Sequence, residues 1–170
     1  TLDYLEKEHG FIVTRLPVDL HGRVSPDALA AALTPDTILV TVMASNNEIG
    51  TVQPLRALGE VCRKAGVLFN TDAVPSAGKT RLDLKKEPVD MASISGHKIY
   101  APKGIGALYL RRGVRLHAIL HGGAHEKNRR AGTENISGAV GLGAACALAA
   151  AELDRESARV RALRDRLEKG

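Results

Sequence analysis

Tryptophan is absent, and phenylalanine and tyrosine together make up only 3% of the 170 residues. Alanine, leucine and valine must therefore fill whatever core forms. No basic run is interleaved with aromatics, so the chain lacks a stacking platform for nucleic-acid bases, and no nucleic-acid partner is expected. Cysteine is equally scarce. Cys62 and Cys146 lie far apart in helical patterns, with no CxxC and no Cys/His cluster. That excludes a zinc-finger spacing and a redox dithiol, and each reads as a small buried residue. His9, His21, His117 and His121 have no metal-ligand spacing, so no metal site is expected. No signal peptide opens the chain, and no apolar stretch reads as long enough to cross a membrane. The default expectation is a cytoplasmic protein with no membrane partner.

What is present suits one soluble domain. Hydrophobic residues at 44% and charged residues at 25% are ordinary proportions. The net charge of +5 is mild, and much of the excess lies in Lys127-Asn128-Arg129-Arg130 and in the mixed-charge stretch from Arg155. Such charges read as solvated surface.

The pattern alternates between strand and helix. Leu2 to His9 reads as the end of an amphipathic helix stopped by Gly10. Phe11 to Leu16 alternates like a strand and leads into the turn-rich Pro17–Gly22. Ser25-Pro26-Asp27 opens a helix through Ala28–Leu33, with serine as cap and proline at the first helical position. Thr37 to Met43 is a continuous β-branched run, predicting a strand buried on both faces. A helix follows over Pro54–Ala65, ended by Gly66. Further strands run into Asp72 and into Ser95, with another over Gly106–Arg111. From Asn135 onward the pattern is helical, first rich in Gly and Ala as in close packing, then charged from Glu152. No internal repeat or linker interrupts the chain. The expected fold is α/β, with a mainly parallel sheet covered on both faces by helices.

In such sheets ligands gather at the carboxyl ends of strands. Asn46, Asn47, Asp72, Ser95, His97 and Lys98 all fall at or just beyond such ends. A lysine and an aspartate there suit pyridoxal phosphate: the amine can form a Schiff base, and the carboxylate can keep the pyridine nitrogen protonated. Alone, Lys98 would be a surface charge and Asp72 a helix cap; together they make a candidate site. Ser95 and His97 offer a hydroxyl and an imidazole to a phosphate. Gly122 to Asn135 is a glycine-rich basic loop opening a helix, whose amides and Thr133 can grip a phosphate. It lacks the Gly-Lys-Ser/Thr closure of a P-loop.

Taken in order, five stretches resemble the cysteine desulfurases of the class V aminotransferase group. They are Asn46–Pro54, Thr71-Asp72-Ala73, Ser95–Tyr100, Pro102–Tyr109 and Gly132-Thr133-Glu134-Asn135. The resemblance implies part of the large domain of a fold-type I pyridoxal-phosphate transferase. It implies Lys98 as the Schiff-base lysine, Asp72 at the pyridine nitrogen and Asn47 near the ring hydroxyl. Ser95 and His97 would bind the phosphate, and Thr133 would reach the phosphate of the other subunit in a homodimer. The implied reaction converts L-cysteine to L-alanine and passes sulfur to an enzyme cysteine as a persulfide. That sulfur would serve iron–sulfur or thio-cofactor assembly through an acceptor or scaffold protein.

Three departures qualify this expectation. Pro75 stands where the family has a glutamine that donates to the cofactor's ring oxygen. Ala101 and Ala124 stand where glycines are usual. The family's upstream phosphate loop and its C-terminal small domain, with the persulfide cysteine, are expected outside residues 1–170. The chain would then be a partial large domain with a long C-terminal helix over about 135–169, expected to be inactive by itself. Selenocysteine lyase or another β-eliminating enzyme is one alternative reading. A non-catalytic α/β module for dimerisation or scaffolding is another.

Overall fold

The computed structural model describes residues 1–170. Four strands pair in sequence order: β1 (Leu39–Thr41), β2 (Leu68–Asp72), β3 (Met91–Ser95) and β4 (Gly106–Leu110). The first two pairings are parallel and the last is antiparallel, so the sheet is mainly parallel as expected. The β1 ladder extends beyond Thr41, because the Val42 N–H donates to Asn70 O at 3.1 Å and the Ala44 N–H to Asp72 O at 2.8 Å.

The helices are α1 (Leu2–His9), α2 (Pro26–Ala32), α3 (Leu55–Ala65) and α4 (Ile136–Lys169). In α2, Pro26 takes the first turn and the Ser25 hydroxyl accepts from the Ala28 N–H. Helix α3 buries Leu55, Leu58, Gly59 and Cys62, and it stops at Gly66, whose φ of 70° is left-handed. Gly59 is required by close approach: a Cβ there would lie 2.3 Å from the Pro88 carbonyl oxygen.

The core lies between these helices and one face of the sheet, joining Leu29, Leu58, Cys62, Val40, Phe69, Val89 and Ala92. Fully burying a side chain such as Phe69 contributes about 1.5–3 kcal/mol. Below the covered face, Asp90 and Arg111 lock the lower end of the sheet. The Phe69 N–H donates to Asp90 Oδ2 at 2.8 Å, and the Arg111 guanidinium donates to the Glu87 and Val89 carbonyls.

Four expectations are corrected. Phe11–Leu16 forms no strand. It finds no neighbouring edge to pair with, Arg15 is tied back to Asp3 and Glu6 of α1, and Ile12 is 94% exposed. Burial on both faces also fails for the Thr37–Met43 strand. Val40 is buried, but its neighbours Leu39 and Thr41 face outward, and Leu68 and Leu108 are likewise exposed. β-branched runs suit any strand, so composition did not distinguish one covered face from two. Cys146 is exposed; only Cys62 is buried.

The fourth correction concerns α4. By length and composition it holds an 18-residue window of mean hydropathy 1.6, enough to cross a membrane on those grounds. Alanine is the commonest residue of that window, only 11% of the window is buried, and the helix meets the rest of the chain through a few small residues. A Cβ on Gly141 would strike Pro102, and one on Gly78 would meet Ile99 and Ala149. The charged second half carries its own ion pairs, such as Arg159–Glu156 at 2.8 Å.

Thr71, on β2 at 0% exposure, has a hydroxyl with no hydrogen-bond partner. Replacing it with the isosteric valine removes an unsatisfied polar atom. Thr71→Val should therefore keep or raise the urea unfolding midpoint, by up to about 1 kcal/mol of stability. A clear loss would show that the hydroxyl is satisfied.

Candidate active site

The chemistry-bearing residues collect at the carboxyl ends of β2 and β3. In the parallel pairing, Asp72 lies opposite Ser93, and Thr71 opposite Ala92. Since Thr71 and Ala92 are buried, strand alternation puts Asp72, Ser93 and Ser95 on the opposite, open face. Asp72 Oδ1 accepts from the Val74 N–H at 2.9 Å and from the Ser93 hydroxyl at 3.1 Å. No protein donor reaches Oδ2, so the half-buried carboxylate keeps one oxygen free as an acceptor.

Beyond Ser95 the chain tightens into a 3-10 turn over Gly96–Ile99 that carries His97 and Lys98. Gly96 makes this turn possible. Its N–H donates to Ile105 O at 2.9 Å, and a Cβ there would lie 2.9 Å from that same oxygen and 2.7 Å from the Ile105 side chain. Tyr100 closes the turn at a left-handed φ of 66°, unusual for a non-glycine residue. Ser95 Oγ and His97 Nδ1 share a hydrogen bond at 3.0 Å. With a neutral imidazole the pair holds two polar protons and uses one internally. Whichever tautomer is present, one donor remains for an anion.

Lys98 is exposed and lines a groove of about 1000 Å³ between the turn and α4, together with Ile99, Pro102, Leu148 and Arg161. It makes no ion pair. Lys98 and Asp72 thus share one end of the sheet without touching.

Asn47 sits exposed in the turn after β1, where Asn46 does the local work by accepting from the Glu48 and Ile49 N–H groups. This turn is tethered to the Asp72 turn by a buried Ser45–Ser76 hydroxyl pair at 2.7 Å. Thr133 is exposed and shares no hydrogen bond with Asp72, Ser95 or Lys98. Nearby, Asn135 caps α4 by accepting from the Gly138 N–H at 2.9 Å, so that helix start is already satisfied by its own chain. His125 and Glu134 clasp the two ends of the basic loop at 2.8 Å. Glu134 is held below the usual carboxylate range, first by its own backbone N–H and then by His125.

The departures are accommodated by the backbone. Every other N–H from Ala73 to Ala77 donates: Ala73 to Ser93 O, Val74 to Asp72, and Ser76 and Ala77 to Ala73 O. Pro75 fills the one slot where no N–H is needed. Neither Ala101 nor Ala124 has a positive φ, so alanine fits at both. Sequence reasoning missed Ser93 and the Ser45–Ser76 tether. Ser93 was findable, since it and Ser95 alternate on one strand face.

The donor set fits pyridoxal phosphate: an amine for the aldehyde, a carboxylate with a free oxygen for a ring N–H, and a hydroxyl–imidazole pair for the phosphate.

The family described as Aminotransferase class-V matches residues 1–170. A cysteine desulfurase of Gluconacetobacter diazotrophicus is 52% identical over 167 residues, covering 98% of this chain and 42% of that protein. A cysteine desulfurase IscS of Methanosarcina thermophila is 51% identical over 170 residues, covering 100% of this chain and 42% of the relative. Among solved structures, a NifS-like protein superposes with a TM-score of 0.95 at 39% identity, covering 99% of this chain and 46% of that one. A second, SspA in complex with cysteine, gives 0.82 at 41% identity, covering 85% and 42%. The chain therefore spans less than half the length of the relatives it matches.

Gly96→Ala should push the turn away from Ile105 and cost about 1–3 kcal/mol, because the clash is with backbone. Urea denaturation of the variant checks this; an unchanged midpoint would mean the turn is not held there.

Proposed function

The chain belongs to the class-V aminotransferase family, and we propose that it supplies the cofactor-holding centre of a pyridoxal-phosphate-dependent cysteine desulfurase acting on L-cysteine. When bound, pyridoxal phosphate offers an aldehyde to amines and a protonated ring that accepts the electron pair left at a substrate α-carbon. The observation that carries the reading is the grouping of Asp72, Ser95, His97 and Lys98 at one end of two adjacent parallel strands.

Each side chain has a proposed task. Asp72 Oδ2 accepts from the ring nitrogen and keeps its proton in place. Ser95 and His97 donate to the phosphate, and Asn47 approaches the ring hydroxyl from the neighbouring turn. Lys98 would hold the aldehyde, and its amine would move the proton at the α-carbon of L-cysteine. Its exposure and freedom from ion pairs support that role. Thr133 donates to the phosphate held by a second copy, as an exposed residue away from its own Asp72 can. The sulfur product serves iron–sulfur or thio-cofactor assembly through an acceptor or scaffold protein, in the cytoplasm.

Sulfur capture falls to a cysteine outside these 170 residues. Cys62 is buried, and burial, followed by the nearby Asp90 charge, pushes its thiol up to about 11, so it stays protonated at neutral pH. Cys146 is exposed on α4 but does not line the groove that holds Lys98.

Adding pyridoxal phosphate to the purified chain should produce a visible absorbance band. Borohydride reduction, proteolysis and mass spectrometry should then find the label on Lys98, and Lys98→Ala should abolish it. No band, or label spread over surface lysines, would contradict the reading.

A further inference from the structure

We propose that Ser93 is a positioning residue, whose hydroxyl sets the orientation in which Asp72 meets the ring nitrogen of the cofactor. The proposal rests on the pyridoxal-phosphate reading above. Asp72 and Ser93 are direct cross-strand neighbours on the open face, and the Ser93 hydroxyl spends its single proton on Asp72 Oδ1 at 3.1 Å. The Val74 N–H converges on the same oxygen at 2.9 Å.

Two donors on one carboxylate oxygen do more than one. A single donor leaves the carboxylate free to swivel and exchange its two oxygens. Two donors from different directions, one along the chain and one across the sheet, hold the plane of the group. Oδ1 is then committed to the protein and Oδ2 to whatever N–H arrives. The charged acceptor makes both bonds stronger than neutral ones. Backbone pairing reinforces the arrangement, since the Ala73 N–H donates to Ser93 O at 3.0 Å immediately beyond. Both Asp72 and Ser93 are therefore tied through side chain and main chain. Serine makes no other hydrogen bond through its hydroxyl.

The test compares Ser93→Thr with Ser93→Val, which have nearly the same shape and β preference but differ in the hydroxyl. Pyridoxal phosphate labelled with 15N at the ring is bound to each protein, and the nitrogen resonance reports ring protonation. Ser93→Thr should keep the resonance and the affinity of the unsubstituted chain. Ser93→Val should shift the resonance toward the unprotonated position and weaken binding by about tenfold. Equal resonances in the two variants would overturn the role of Ser93 while leaving the functional reading intact. Loss of fold in both would assign Ser93 to packing and overturn the role too. Failure of the unsubstituted chain to bind the cofactor would overturn the functional reading, and this proposal with it.

Discussion

The in-register parallel pairing of β2 with β3 is the constraint on which the candidate site depends. It sets Asp72 beside Ser93 and, two residues on, brings Ser95 to the same face. A slip of β3 by one residue would turn Ser93 and Ser95 to the covered face, where Phe69 and Thr71 now lie, and part them from Asp72. The register is held at both ends. Below, Asp90 and Arg111 bind the backbone of β2 and the segment entering β3. Above, the Asp72 carboxylate joins the two strands across the sheet.

The two faces of the sheet divide the labour. One is closed by α2 and α3 over a core of Leu29, Leu58, Cys62, Phe69 and Val89. The other carries the exposed Leu39, Leu68 and Leu108, with the polar site at the carboxyl ends of β2 and β3. Close approaches by glycine then place the loops. Gly96 draws the lysine-bearing turn against Ile105, and Gly78 and Gly141 let α4 pack against that turn and Pro102. Lys98, the Asp72 carboxylate and the Ser95–His97 pair are thus presented at one end of the sheet, and the lysine side chain makes no ion pair.

Much of this was legible in the residues. Gly10 and Gly66 stop their helices in the left-handed conformation, Ser25-Pro26 starts one, and strands end at Asp72 and Ser95. These are local signals, decided within a few residues. What escaped was non-local. The alternation in Phe11–Leu16 says nothing about whether a partner strand is within reach, and the run ending at Met43 cannot reveal whether one face or two is covered. Motif and strand ends pointed to the candidate site residues, but not to their hydrogen bonds. The Ser45–Ser76 tether and the Ser93–Asp72 bond join residues distant in sequence, and only the strand register reveals them. Pro75 departs from the family's side-chain donor, whereas its backbone fit, in a slot that needs no N–H, follows only from the turn geometry.

The most direct measurement is a titration of the 15N-labelled chain with pyridoxal phosphate, followed by NMR of the backbone amides. Perturbations confined to Asp72–Val74, Ser93–Lys98 and the Asn46–Asn47 turn would place the cofactor at the upper end of the β2–β3 pair. Perturbations centred on α4 or on the basic loop at Lys127–Arg130, with β2 and β3 unchanged, would contradict it.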